Sequence, residues 1–193
     1  MFMESSTDLR VKRTRRWLQD ALRELLQEKP YQKIKIGEIV YRAEVARPTF
    51  YLHYASKDDL LISVFDDLFS DFREAIEKEL RRENIDLPLF GTLIFNCVRK
   101  NAQGLRTILD AGVESLVEKR FRVILVDVQQ PIKVIEPVAT ESEILVPYLD
   151  DFVASGIFAL LKRWVKEDMV IPDETMGLIV ANMGKGLREM VKA

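Results

Sequence analysis

The segment Ile36-Gly-Glu-Ile-Val-Tyr-Arg-Ala-Glu-Val-Ala-Arg-Pro-Thr-Phe-Tyr-Leu-His-Tyr-Ala-Ser-Lys57 decides the fold of this chain. Ile36, Ile39, Val40 and Ala43 recur three and four apart, the spacing of one buried helical face. Val45 plugs the turn that follows, and a second short helix starts near Arg47. Pro48 suits the first turn of that helix, where a missing N–H forfeits no ladder bond. Phe50 points inward, which leaves Thr49, Tyr51, Leu52 and His53 outside. Ser56 is an N-cap for the next helix, with Asp58 and Asp59 in its positive first turn.

Two short helices across a tight turn, the second with its side chains free, is the arrangement that presents a helix to the DNA major groove. Charge is distributed to match. Residues 1–57 hold 12 Lys/Arg and 7 Asp/Glu, a net of +5, whereas residues 58–193 hold 17 and 24, a net of −7. A basic head on an acidic body places the contact with a polyanion at the head alone.

The 193-residue chain is 48% hydrophobic, enough for a sizeable core. Cys97 is the single cysteine, so no internal disulfide forms, which fits a reducing cytoplasm. The first residues carry acids and no apolar stretch, which reads against a signal peptide. No run approaches the ~18 apolar residues needed to span a bilayer, so no membrane partner is expected.

The rest of the chain reads as helix after helix. Residues 1–9 are expected to be disordered. A helix over about 9–28 carries Trp17, Leu18, Ala21, Leu22, Leu25 and Leu26 on one stripe, and Arg10, Lys12, Arg13, Arg15 and Arg16 in its early turns. Lys29-Pro30 ends it. A helix from Ser56 to about Glu83 buries Leu60, Leu61, Val64, Phe65, Leu68, Phe69, Phe72 and Ile76. Further helices are expected over about 89–100, 113–128 and 143–167. The last of these carries Leu145, Tyr148, Leu149, Phe152, Gly156, Leu160 and Trp164 at helical spacing. Pro131 and Pro137 mark an irregular link near 130–142. Asp173 is the expected N-cap of a final helix with Met176, Ile179, Val180, Met183 and Leu187 on one side. The fold class is all-α: a three-helix head plus a helical bundle body, about nine helices in all.

The string Thr49-Phe50-Tyr51-Leu52-His53-Tyr54, followed by Ser56-Lys57-Asp58-Asp59-Leu60-Leu61, with Ile36, Ile39, Ala43 and Val45 upstream, resembles the TetR family of transcriptional regulators. The likeness is strong over about residues 10–65 and architectural beyond. The stretch Phe158–Gly184, with Lys162-Arg163-Trp164 and the Ile171-Pro-Asp-Glu174 turn, looks like the last two helices of certain TetR-like C-terminal domains. Three positions depart from the family pattern. Lys35 and Ala46 replace small hydroxyl caps, at about 1 kcal/mol each, and Glu44 replaces a turn glycine at a similar cost.

The resemblance implies a DNA-binding domain over residues 10–55 and a ligand-binding and dimerisation domain over 56–193. It implies a homodimer on a palindromic operator, acting as a repressor in the cytoplasm. Arg47, Pro48, Thr49, Tyr51, Leu52 and His53 then face the groove, Arg47 towards a guanine edge, Pro48 and Leu52 towards thymine methyls. Tyr54, Lys57 and Lys35 are expected at phosphates. Helical spacing assigns Gly156, Phe158, Leu160, Trp164, Ile179, Val180, Met183 and Gly184 to a two-fold four-helix interface. Phe65, Phe69, Phe72, Phe95, Phe121 and Phe152, with Cys97 as a soft contact, are the candidate lining of a pocket for an apolar or aromatic effector.

Enzyme chemistry finds no support. Gly104 and Gly112 lack the neighbours of a phosphate loop, and there is no nucleophile elbow or His–carboxylate–nucleophile set. The pairs Asp66-Asp67 and Asp150-Asp151 are adjacent, so about 100° apart on a helix. His53 is the only histidine and lacks metal-ligand neighbours, so no metal or cofactor is expected. Two other readings remain: a TetR-like protein acting through a protein partner, its head degenerate for DNA, and a small-molecule-binding helical bundle.

Overall fold

The computed structural model describes residues 6–80, 87–135 and 144–192, all of whose regular structure is helical. The elements are α1 (Ser6–Glu28), a 3₁₀ turn (Tyr31–Lys33), α2 (Ile36–Arg42), α3 (Arg47–His53), α4 (Lys57–Leu68), α5 (Ser70–Leu80), α6 (Leu87–Lys100), α7 (Ala102–Asp110), α8 (Glu114–Ile135), α9 (Val146–Lys166) and α10 (Asp173–Lys192). The expected all-α class holds, with ten α-helices among the described residues. They divide into two compact units. One ends at Asp67 and takes in Thr107–Glu114; the other comprises Leu68–Arg106 and the chain from Ser115.

In the first unit the stripe of α1 supplies the core. Leu18, Ala21, Leu22, Leu25 and Leu26 are buried together with Ile34, Ile39, Val40, Ala43, Phe50, Leu60, Leu61 and Val64. Burying one such aliphatic or aromatic side chain contributes about 1.5–3 kcal/mol before ordering costs. Trp17 departs from its stripe and is 49% exposed. α1 begins at Ser6, so the expectation of disorder through residue 9 fails for Ser6–Leu9; residues 1–5 lie outside the described residues.

α2 ends in a Schellman turn. The Val45 amide donates to the Val40 carbonyl at 3.0 Å and the Glu44 amide to Tyr41 at 3.2 Å, with Glu44 at φ 53°. The glycine this turn usually takes is absent, and Glu44 bears the left-handed strain. At the other end of α2, Lys35 offers no acceptor. Glu38 recovers half of a capping box by accepting the Lys35 amide at 2.9 Å. The same carboxylate accepts the Lys29 ammonium, which holds Glu38 below the usual carboxylate range, assisted by the Lys35 amide. Ala46 leads into α3 with no side-chain cap. Ser56 caps α4 as expected, its Oγ accepting the Asp59 amide at 3.0 Å.

The helix expected to run unbroken from Ser56 to about Glu83 is interrupted at Phe69. One side chain of α6 and one from the residue that follows it insert there. The Leu68 carbonyl accepts from the Cys97 thiol at 2.9 Å and from Asn101 Nδ2 at 3.0 Å. In the second unit Phe72, Phe69, Phe121 and Phe158 form a chain of rings, with centroids 6.4, 5.6 and 5.5 Å apart in that order. α6 and α10 cross backbone against backbone. A methyl on Gly91 would lie 2.4 Å from the Gly177 carbonyl oxygen, and one on Gly177 would lie 2.3 Å from the Thr92 nitrogen.

The turn from α9 to α10 is another Schellman turn. Asp168 and Met169 both have positive φ, and the Met169 amide donates to the Trp164 carbonyl at 2.9 Å. Arg99 clamps it: Nε donates to Asp173 at 2.6 Å and Nη2 to the Met169 carbonyl at 2.9 Å. Asp173 is thus a buried ion-pair partner at the first residue of α10, not the N-cap expected from the sequence. α8 is longer than expected. It runs through Pro131 to Ile135, so the irregular link does not begin at 130; Pro137 and the remainder of that link lie outside the described residues.

Candidate nucleic-acid interface

The candidate recognition surface is α3. Its one buried side chain, Phe50, is fully enclosed and anchors the helix. Everything else turns out by helical rotation. Leu52 is 82% exposed and Tyr51 48%, with Arg47 and Pro48 also exposed and Thr49 and His53 half-buried. Tyr51 stacks edge-on against Phe50 with ring centroids 5.3 Å apart, which orients its hydroxyl outwards from a fixed base. Arg47, Pro48, Tyr51 and Leu52 therefore form the accessible face of α3, with Thr49 and His53 half-buried beside it. It offers a bidentate guanidinium, hydroxyl donors and a methyl-reading aliphatic side chain.

Two of the residues expected at phosphates are engaged inside the head. Tyr54 is 5% exposed, and its hydroxyl accepts from Ser63 Oγ at 3.1 Å. Gln19 extends that network by donating to Ser63 Oγ at 3.2 Å. Tyr54 is thus a packing residue that ties α3 to α4, and the expectation of a phosphate-facing hydroxyl is corrected. The Lys57 ammonium donates to the carbonyls of Tyr31 and Ile34, both at 2.8 Å, and lies 4.0 Å from the centroid of the Tyr31 ring. It closes the C-terminal end of the 3₁₀ turn instead of projecting into solvent. Burial pulls its pKa down from the ordinary lysine value, opposed by Asp58. Tyr31 itself is buried, donates to Asp58, and has its pKa pushed up chiefly by burial. Lys35 is exposed at the start of α2.

Sequence reasoning passed over three features. Tyr41 on α2 is 87% exposed. Trp17 lines a surface groove with Leu9, Arg10, Arg13, Thr14, Glu44, Val45, Ala46 and Thr49, so α1 forms a wall beside the recognition helix. Arg15 lies over the Tyr54 ring, 5.0 Å from its centroid. From the sequence the basic early turns of α1 read as able to approach the DNA backbone, but neither the groove beside Trp17 nor the ring under Arg15 is legible there.

The other expected sites are redistributed. Phe65, Phe69, Phe72, Phe95, Cys97 and Phe121 are all buried, but Phe152 is 59% exposed and is no lining residue. Phe158 and Trp164 are each 3% exposed within a single chain, so they pack the core of the second unit instead of a partner. Trp164 meets Phe95 edge-on at 5.2 Å and donates its indole N–H to Ile171 at 2.9 Å. Ile179 and Met183 are exposed at 38% and 52%, while Leu160, Val180, Gly156 and Gly184 are half-buried. No helix among the described residues is long and apolar enough to cross a membrane.

Residues 18–64 match the family model of bacterial regulatory proteins, tetR family. Two curated relatives from Bacillus subtilis (strain 168) align with part of the chain. The fatty acid metabolism regulator protein is 33% identical over 64 residues, 33% of this chain and 33% of its own length. The HTH-type transcriptional regulator YxbF is 46% identical over 59 residues, 30% of this chain and 16% of its own. The chain thus matches a third or less of either relative. A solved TetR transcriptional regulator from Streptococcus agalactiae 2603V is similar over 92% of this chain and 97% of its own. It is 25% identical, with a TM-score of 0.64.

Proposed function

We propose that the chain, whose residues 18–64 match the family model of bacterial regulatory proteins, tetR family, is a sequence-specific repressor. In this reading it binds a palindromic operator as a homodimer in the cytoplasm and releases it on binding a small effector. One observation carries the DNA contact: the fully buried Phe50 fixes α3 so that Arg47, Pro48, Tyr51 and Leu52 stand exposed on one short helix. Residues 10–55 read the DNA and residues 56–193 supply dimerisation and effector response.

Two-fold symmetry places the two recognition helices in successive major grooves, roughly 34–36 Å apart. The dimer face is the outward side of α9 and α10. Tyr148 and Phe152 are exposed at 73% and 59%, and Leu178, Ile179 and Met183 continue the apolar surface on α10. Nothing lies within 4 Å of a methyl placed on Gly156 or Gly184, so both leave room for a close backbone approach. The effector site is assigned to the aromatic set of the second unit, where Phe69, Phe72, Phe95 and Phe121 favour an apolar or aromatic compound.

The test is selection of bound duplexes from a random library with the full chain, followed by sedimentation of the complex. A recovered palindrome bound by two chains supports the reading. Recovery of no sequence in preference to another refutes it and leaves a protein that acts through a protein partner.

A further inference from the structure

Arg15 is held over a fixed platform. The Tyr54 ring beneath it is buried, and its hydroxyl is bonded to Ser63. Neighbouring arginines of α1 take carboxylate partners: Arg23 pairs with Asp20 at 2.8 Å and with Asp67 at 2.9 Å, and Arg16 approaches Asp20 at 3.9 Å. Arg15 turns the other way, towards the C-terminal end of α3. It lies close enough to His53 to help lower that imidazole's pKa, after burial.

The second observation lies at the other end of α3. Arg10, Arg13 and the half-exposed indole of Trp17 line the groove that also holds Ala46 and Thr49. Its one acidic lining residue is Glu44. The amino-terminal half of α1 thus places guanidinium groups beside both ends of the recognition helix.

We infer that this half of α1 is a second DNA-contacting surface, on which Arg13 and Arg15 bind backbone phosphates flanking the groove that α3 enters and Trp17 lies against the sugar edge. The inference rests on the DNA-binding reading above and adds contacts that carry no sequence information. DNA is favoured over an acidic protein because the guanidinium groups lie beside both ends of α3, and a phosphate backbone borders a major groove on both sides. A stacked arginine loses less freedom on binding than a mobile one, since its planar fork is already oriented.

The experiment measures binding of the full chain to a duplex recovered from the random library and to a scrambled duplex, across a salt series. Arg13→Ala and Arg15→Ala are each expected to weaken both duplexes by a similar factor and to lower the log–log salt slope by about 1. Arg15→Lys should retain the slope. The melting temperature should stay unchanged in Arg13→Ala, whose side chain is exposed, and fall only slightly in Arg15→Ala, which loses the stacking on Tyr54. Independently, duplex should protect Trp17 from acrylamide quenching, identified as the signal lost in Trp17→Phe. A wild-type protein that binds DNA, with unchanged slopes in both alanine variants and an unprotected Trp17, overturns this inference and leaves the DNA reading intact. Variants that bind DNA normally but fail to retain an acidic peptide assign the surface to a protein instead. A wild-type protein that binds no duplex overturns both.

Discussion

The Cys97 thiol donates to the Leu68 carbonyl at 2.9 Å, at the point where the helical run of α4 and α5 is interrupted. The Phe72 amide also bonds that sulfur, and Asn101 supplies a second donor to the same carbonyl at 3.0 Å. The break in the helix is therefore held from outside by Cys97 of α6 and by Asn101, the residue after it. Sequence periodicity alone continues straight across it.

Loss of one of these donors leaves a buried carbonyl short of a partner. Asn101→Ala should destabilise the chain by about 1–3 kcal/mol in denaturant unfolding, and Cys97→Ser, which keeps a donor, by less. Burial raises the Cys97 pKa to about 11, so the native thiol should resist maleimide at neutral pH and react once unfolded. A fast native reaction would show that the break opens readily.

The glycines divide into two kinds. Gly177→Ala forces a methyl to 2.3 Å from the Thr92 nitrogen, and neither backbone can yield cheaply. A loss of about 1–3 kcal/mol or more is expected. Gly156→Ala and Gly184→Ala meet nothing within 4 Å of the new methyl in one chain, so each should raise monomer stability by up to about 1 kcal/mol. If the dimer closes across these glycines, the same substitutions raise its dissociation constant in sedimentation.

Lys57→Ala removes two ammonium bonds to the carbonyls of Tyr31 and Ile34. About 1–2 kcal/mol of head stability should go with them, discounted for partial exposure. Thermal unfolding is the check. A lowered salt slope for DNA with an unchanged melting temperature would return Lys57 to the phosphate role expected from the sequence.

His53 gives a pH dependence with a definite sign. Burial, then the charge of Arg15, lowers its pKa below the ordinary value near 6.5. The unfolded chain therefore holds its proton more tightly, and the free protein loses stability as pH falls through that value. A phosphate beside His53 reverses the preference in the complex. DNA affinity should then rise between about pH 8 and about pH 6 at fixed ionic strength, and His53→Gln should flatten the profile. A profile unaltered by this substitution removes His53 from the contact.

Ile179→Glu or Met183→Glu, on the exposed face of α10, should dissociate the proposed dimer and leave helical content unchanged. Phe158→Glu and Trp164→Glu should unfold the second unit, because both side chains are 3% exposed. Circular dichroism and sedimentation separate the two results.

The sequence by itself determined the helix-turn-helix. Ile39, Val40, Ala43 and Phe50 are buried where three-and-four spacing put them, and Ser56 caps α4. Such features arise within a few residues, so local periodicity and capping chemistry reveal them. The strain at Glu44 was legible for the same reason, since the turn demands a left-handed residue wherever the chain is read. Tertiary structure alone decided what the long side chains do. Lys57 reaches back to the 3₁₀ turn, Tyr54 points into the Ser63 network, and Arg99 closes the α9–α10 turn, each across at least nine residues of chain. Periodicity marks a face as apolar without naming what covers it. Phe158 and Trp164 therefore looked available to a partner until their own chain enclosed them. Gly91 and Gly177, 86 residues apart in sequence, acquire meaning only where α6 and α10 cross, because the closeness of two backbones is a property of packing.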